Sequence, residues 1–281
     1  MTRFIDVHVH PPLPEVMSGV FGPFTDSLDA AFGREIGTMT AGEIADLYRG
    51  LDGKAVLLAW DAETATGRRP FTNEQVAALV AEHPDVFLGF GSVDPHKGAA
   101  AVGGVHQTAR LGLAGLKFHP PAQRFSPADR LAYPVWEAAE SHGLPVMLHT
   151  GYTAMGQGMA GGGGIELRYA DPMLADKVAV DFPDLQIILA HTGWPWHEAA
   201  VAVARHKRNV HIELSGWPPS RLPEVVVEAV RGPLTDRTLF GTDFPFLTPE
   251  RWIAGFERLG LSEETNRAVL FGNAERLLGM A

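Results

Sequence analysis

The chain has 281 residues, of which 46% are hydrophobic and 20% charged, with a formal net charge of −10, no cysteine and 12 histidines. That length can bury a sizeable core, and the lack of cysteine excludes disulfides, thiolate nucleophiles, sulfur-held zinc and iron–sulfur clusters, leaving His, Asp and Glu to hold any metal. An acidic balance without basic runs excludes nucleic acid as a partner, and no stretch nears the roughly 18 unbroken apolar residues of a membrane span.

The opening residues, MTRFIDVHVH, lack the basic and apolar regions of a signal peptide, so the expected compartment is the cytoplasm. They contain the first of eight short apolar runs rich in β-branched residues. Strands are predicted at Phe4–Val9, Lys54–Ala59, Val86–Val93, Ala114–His119, Leu144–His149, Leu185–Ala190, Asn209–Leu214 and Arg237–Thr242. Most are near-continuous in apolar character, the pattern of strands buried on both faces of a parallel sheet. Helical patterns lie between them. Thr40–Arg49 opens with a capping box formed by Thr40 and Glu43. Asn73–Glu82, Ala99–Leu111, Pro127–His142, Ala170–Asp181, His197–His206, Pro223–Val230, Pro249–Leu259 and Ser262–Phe271 follow, and Asn273–Leu278 closes the chain. The alternation predicts an α/β protein, a single (β/α)8 TIM barrel over residues 1–281, with a doubly wound open sheet as the alternative.

Two segments are longer than ordinary connections. Pro11–Met39 follows the first strand, and Gly151–Tyr169, with Gly161-Gly162-Gly163-Gly164, follows the fifth. Segments of that length are functional or disordered. Both start at C-terminal ends of strands, where barrels build their active sites, and are read as a lid or a substrate wall.

The same ends carry the candidate chemistry. The first strand finishes in His8-Val9-His10, the fifth in His149, the sixth in Ala190-His191 and the eighth in Gly241-Thr242-Asp243. Residues two apart in a strand share a face, so His8 and His10 project together. A lone histidine at a strand end is ordinarily a cap or a hydrogen-bonded core group. Imidazoles and a carboxylate delivered by separate strands to one rim instead suit zinc, manganese or iron, and with room for water the site is catalytic. Lys117 and His119 share a face of the fourth strand, either lining the pocket or structural. His83, His96, His106, His142 and His206 read as surface or capping groups and His211 as core, while His197 is near enough to His191 to reach the mouth. Trp60, Tyr152, Trp194, Trp196, Trp217 and Phe246 sit near the rim, where they pack the core or wall a pocket for a flat organic substrate. Arg68, Arg69, Arg124 and Arg168, in predicted loops, are candidates to pair with a substrate carboxylate.

The chain resembles the amidohydrolase superfamily nearly end to end, in the branch related to aminocarboxymuconate-semialdehyde decarboxylase. The likeness rests on Ile5-Asp6-Val7-His8-Val9-His10, Gly115-Leu116-Lys117-Phe118-His119-Pro120, Leu144-Pro145-Val146-Met147-Leu148-His149-Thr150-Gly151, Leu189-Ala190-His191-Thr192-Gly193, Leu239-Phe240-Gly241-Thr242-Asp243-Phe244-Pro245 and Gly272-Asn273-Ala274. It implies a barrel of the metal-dependent hydrolase type. His8, His10, His149 and Asp243 would ligate one divalent metal, Zn2+ in the first instance, with Mn2+ or Fe2+ as alternatives. His191 and Asp243 would be catalytic. Asp243 would take a proton from water whose pKa the metal lowers, and His191, titrating near working pH, would deliver or accept one. Lys117, His119, Tyr152, Trp194 and Trp217 are the substrate-binding candidates, and Lys117 has a second option, carboxylation to bridge a second metal. The partner is a small-molecule substrate. A homodimer fits the resemblance, with no interface legible in the sequence.

One metal cage serves two reactions in this superfamily. A hydrolase turns metal-bound water on its substrate; a decarboxylase chelates a substrate carboxylate and protonates carbon. Some of its aromatic-acid decarboxylases resemble this chain but carry Glu in place of the first histidine of the pair and Glu three residues after the catalytic histidine. Here those positions hold His8 and Trp194, and Glu198 lies four residues further on. The expectation is a metal-dependent hydrolase acting through activated water on a small cyclic or aromatic carboxylate, lactone or amide. A nonoxidative decarboxylase (carboxy-lyase) of a small aromatic or unsaturated acid is the alternative. A non-catalytic barrel that only binds is the remote one, opposed by the intact set of His8, His10, His149, His191 and Asp243.

Overall fold

The apolar runs form eight parallel strands in the computed structural model, which describes residues 3–280. They are β1 (Phe4–Val9), β2 (Gly53–Leu58), β3 (Phe87–Phe90), β4 (Leu116–Phe118), β5 (Val146–His149), β6 (Ile187–Ala190), β7 (Val210–Glu213) and β8 (Thr238–Leu239). Ladders join β1-β2-β3 and β4-β5-β6-β7-β8. The two arcs then close on each other through parallel bridges, Gly91 with Leu116 and Val9 with Phe244. At these seams the Lys117 amide donates to the Gly91 carbonyl at 2.7 Å and the His10 amide to the Phe244 carbonyl at 2.8 Å. Closure leaves no open sheet edge among the described residues. Helices lie between successive strands, so the architecture is the expected (β/α)8 TIM barrel. No helix among the described residues is long and apolar enough to cross a membrane.

β1 does not alternate strictly, and that positions the site. Ile5 and Val7 join an inner cluster with Val56, Leu58, Phe90, Met147, Ile188 and Leu239. Asp6 faces the helical layer, where it accepts from the Tyr48 hydroxyl at 2.7 Å. Strict alternation after Val7 would turn His8 outward. The pairing of β1 with β2 shifts register between Asp6 and Val9, an irregularity of the kind that re-aims a side chain. His8 then reaches Lys117 on β4 and Glu213 on β7. Neither strand neighbours β1, so His8 points into the barrel.

The lower end of the barrel is an apolar plug. Ala274, with the partly buried Phe271 and Leu277, packs the closing helix Asn273–Leu277 against the inner cluster. Each large aliphatic side chain buried there is worth about 1.5–3 kcal/mol.

Two helices start later than expected. The helix predicted over Pro127–His142 is Tyr133–Ser141. Ser126 Oγ accepts from the Ala128 amide at 3.3 Å and Asp129 Oδ1 from the Leu131 amide at 2.9 Å. Such local bonds offer the backbone an alternative to helix. The helix predicted from Ala170 begins at Met173, because Pro172 disfavours a helical Asp171. The long segments after β1 and β5 are folded and packed together. The first contains the helix Thr25–Phe32, and its Ser27 Oγ accepts from the Gly156 amide of the second at 3.2 Å.

Candidate metal centre and cavity

His8 Nε2 and His10 Nε2 converge on Asp243 Oδ1, at 3.4 and 3.5 Å. The donor atoms of these three residues lie within 4.8 Å of one another. His149 stands beside them. Its ring is 4.5 Å from that of His191 and stacks on His119 at 3.9 Å. Its Nε2 is buried with no hydrogen-bond partner. Buried polar atoms are nearly always paired. An orphaned imidazole nitrogen beside three converging N and O donors therefore fits a divalent cation of hard-to-borderline preference.

Behind the cluster lies a hub that the sequence reading passed over. Glu213, fully buried at the end of β7, accepts from His8 Nδ1 at 3.0 Å, from the Ser215 amide at 2.6 Å and from the Ser215 hydroxyl at 2.8 Å. Ser215 Oγ in turn lies 2.9 Å from His191 Nδ1. With the Ser215 hydrogen given to Glu213, its oxygen accepts from His191 Nδ1–H. Both imidazoles are thus fixed with the proton on Nδ1 and the lone pair on Nε2. His8, His191 and Glu213 also bring donor atoms within 4.8 Å, but Ser215 Oγ fills that space and makes it a hydrogen-bond network. A charged residue closing the apolar run of the seventh strand was the available signal, by the criterion applied to the other strand ends.

Backbone geometry serves the same side chains. Asp6 accepts from the amides of His8 and Thr242, at 3.1 and 2.9 Å, and from the Thr242 hydroxyl at 2.5 Å. It ties the ends of β1 and β8 together. His191 and Asp243 both adopt left-handed backbone, φ 67° and 64°. Non-glycine residues there cost about 1–3 kcal/mol each and gather at functional sites. Gly241 makes room: a Cβ on it would lie 2.1 Å from Glu213 Oε1 and 2.9 Å from His8 Cβ.

Burial dominates the electrostatics. It pushes Asp243 up to about 8 and Glu213 up to about 7, with Lys117 pulling both down. It lowers Lys117 to about 8, opposed by Asp243 and Glu213. His8, His10, His149 and His191 all fall well below the ordinary imidazole range, through burial first and then neighbouring charge, chiefly Lys117 and other histidines. They are neutral at neutral pH, the form that ligates a metal.

A cavity of about 400 Å³ opens over the cluster. Of the sequence candidates, His10, His149, His191, Asp243, His119, Tyr152, Trp194 and Trp217 line it, and Trp60 and Phe246 join them. Phe21 and Phe32, from the segment after β1, complete the aromatic wall. Lys117 does not line the cavity. It lies beneath, fully buried, its ammonium donating to His8 Nε2 at 2.8 Å, so His8 stands between it and a substrate. Trp196 lies off the cavity wall, and His197 binds the Thr192 carbonyl at 3.0 Å. None of Arg68, Arg69, Arg124 and Arg168 lines the wall; the cation there is Arg221, at the turn after β7. As expected for a core group, His211 pairs with Gln186.

Residues 5–280 match the family described as amidohydrolase. No curated protein matches the chain. Among solved structures, an uncharacterised TIM-barrel protein from Bordetella bronchiseptica superposes with TM-score 0.82 at 24% identity, covering 99% of this chain and 98% of that one. The 5-carboxyvanillate decarboxylase of Sphingomonas paucimobilis gives TM-score 0.69 at 19% identity, with 99% of each chain covered. A dihydroxybenzoic acid decarboxylase from Polaromonas, with bound manganese and the inhibitor 2-nitroresorcinol, gives 0.72 at 19% identity, covering 100% of this chain and 98% of its own.

Proposed function

The chain belongs to the amidohydrolase family, and from that premise we propose that it is a metal-dependent decarboxylase, releasing carbon dioxide without oxidation from a small aromatic or unsaturated acid. The observation that carries the proposal is the aromatic-walled cavity set directly over His10, Asp243 and His191. The full-length likeness to decarboxylases of 5-carboxyvanillate and dihydroxybenzoic acid favours it over the hydrolase that the residues alone suggest.

His8, His10, His149 and Asp243 would hold one divalent ion. An all-nitrogen-and-oxygen set suits manganese as well as zinc or iron, and the manganese in the Polaromonas decarboxylase puts manganese first. When bound, such an ion supplies Lewis-acid charge to a substrate carboxylate and a neighbouring oxygen. The chain's own side chains do the rest. Trp60, Tyr152, Trp194 and Trp217 hold a flat ring and exclude water. His191 is neutral in the empty cavity and gains its proton as an anionic substrate enters, since nearby negative charge favours the imidazolium. Ser215 and Glu213 keep its Nδ1 engaged, so Nε2 faces the substrate. The proton passes from Nε2 to the ring carbon, the bond to the carboxylate breaks, its electron pair stays with the ring and carbon dioxide leaves.

The hydrolase reading keeps one observation in its favour. Trp194, not an acid, follows His191 by three residues and lines the cavity. Carboxyl-labelled aromatic acids offered to manganese-loaded protein separate the two. Labelled carbon dioxide is expected, with none after chelation. His191→Asn should keep the metal and slow release by about 100-fold or more. Water addition without carbon dioxide would assign the chain to the hydrolases.

A further inference from the structure

His119 ends β4 and caps the short helix Pro120–Gln123. Pro120 and Pro121 occupy the first two helical positions and carry no N–H. The first free amide of the turn is that of Ala122, and it donates to His119 Nδ1 at 3.2 Å. A backbone amide can only donate, so Nδ1 bears the lone pair and the neutral ring carries its proton on Nε2. The ring is anchored as well. The His119 amide donates to Gln123 Oε1 at 2.9 Å, and the Gln123 amide group donates to the carbonyls of Asp61 and Val93 at 2.7 and 2.9 Å. One face of the imidazole stacks on His149 at 3.9 Å, and the Trp60 ring lies 5.2 Å away. His119 lines the cavity, and no group among the described residues accepts from its Nε2.

We infer that His119 is a substrate-binding residue: a donor of fixed tautomer whose Nε2–H holds an anionic oxygen of the substrate beside the metal cluster. The inference rests on the metalloenzyme reading above and adds what the cavity demands of its ligand. His119 and His191 flank His149, at ring distances of 3.9 and 4.5 Å. With an anionic substrate in place both present an N–H, His119 that of its neutral ring and His191 the proton it gains. The ligand that meets both is an anionic acid, one of whose oxygens accepts from His119 while the carbon that bears the carboxylate faces His191.

The test compares wild type with His119→Asn, both loaded with manganese. Asparagine is a strong N-cap, so it keeps the Ala122 amide satisfied, while its shorter side chain withdraws the donor from the cavity. Four quantities are read: manganese per chain, melting temperature, the dissociation constant of 2-nitroresorcinol by absorbance titration, and the His119 tautomer in the wild type by nitrogen-15 NMR. The expected result is unchanged manganese and melting temperature, an affinity weaker by about tenfold or more, and an Nε2–H resonance for His119. Unchanged affinity, an Nδ1–H tautomer, or a wild type that holds manganese yet ignores 2-nitroresorcinol overturns the inference. So does loss of manganese from the variant, which would make His119 a metal ligand. A wild type that takes up no manganese overturns the metalloenzyme reading and carries this inference with it; manganese-loaded wild type with an unaffected variant overturns the inference alone.

Discussion

Glu213 touches neither the cavity nor a substrate, yet it fixes which nitrogen each of two histidines presents. Glu213→Gln replaces an acceptor by a donor facing His8 Nδ1 or Ser215, both of which donate. Metal affinity should fall by about 10- to 100-fold with the circular dichroism spectrum unchanged, as measured by chelator competition. Asp243 sets the pH dependence of the same affinity. Burial first, and then Glu213 and Asp6, hold its folded pKa up at about 8, so below that pH an entering ion must displace a proton. Apparent affinity should therefore drop as pH falls, by about tenfold per unit for one released proton. The four imidazoles, already neutral, add no slope near neutrality. A dissociation constant that is flat from about pH 6 to 8 would contradict this assignment. At this scale the sequence made His10, His149, His191 and Asp243 legible, because each closes an apolar run at one rim. Glu213 carried the same mark, a charge closing an apolar run, but its role and that of Ser215 were not legible, since what matters is a hydrogen bond across the barrel to a strand far away in the chain.

At the scale of elements, the site depends on how β1, β7 and β8 are fitted together. Gly241, just past β8, is where Glu213 passes to reach His8. Gly241→Ala puts a methyl group into that path. The variant should fold with a loss of about 1–3 kcal/mol, the range for overpacking a buried position, and should lose metal affinity as Glu213→Gln does. Denaturant unfolding and chelator competition check the two parts; an alanine variant with wild-type affinity would mean that Glu213 reaches His8 by another route. The strands themselves were readable from their apolar runs. The irregularity in β1 was not. The rule that residues two apart share a face predicts correctly that His8 and His10 act together. It gives no sign that the chain slips between Asp6 and Val9, where Asp6 bonds to Tyr48 and Thr242, residues far from it in sequence.

At the scale of the whole molecule, the strands' lower ends are sealed by apolar packing and the upper ends converge polar groups, among them the unpartnered His149 Nε2, that a bound cation would satisfy. Metal should therefore stabilise the entire barrel by linkage, about 2.7 kcal/mol when free metal exceeds its dissociation constant by about 100-fold. At about 2–4 °C per kcal/mol for a domain near this size, chelation should lower the melting temperature by roughly 5–10 °C, read by calorimetry before and after dialysis. The alternation of strands and helices made the barrel legible, and the length of the segments after the first and fifth strands marked them as a lid or wall; how the two pack together was not legible. Phe21, Leu28 and Phe32 come from the segment after β1, and Tyr152 to Gln157 from the segment after β5. Ser27 and Gly156 bond the two together, and Phe24 abuts Gly163. The two halves of the roof are thus joined to each other. If the proposed decarboxylation runs beneath this roof, its two products would be treated unequally: carbon dioxide is small enough to leave first, whereas an arene would wait for the two segments to part. Under the proposed decarboxylation, release would then be ordered, carbon dioxide first and the aromatic product last, and the arene, seated among the tryptophans that line the cavity, would be the product that competes with the next substrate.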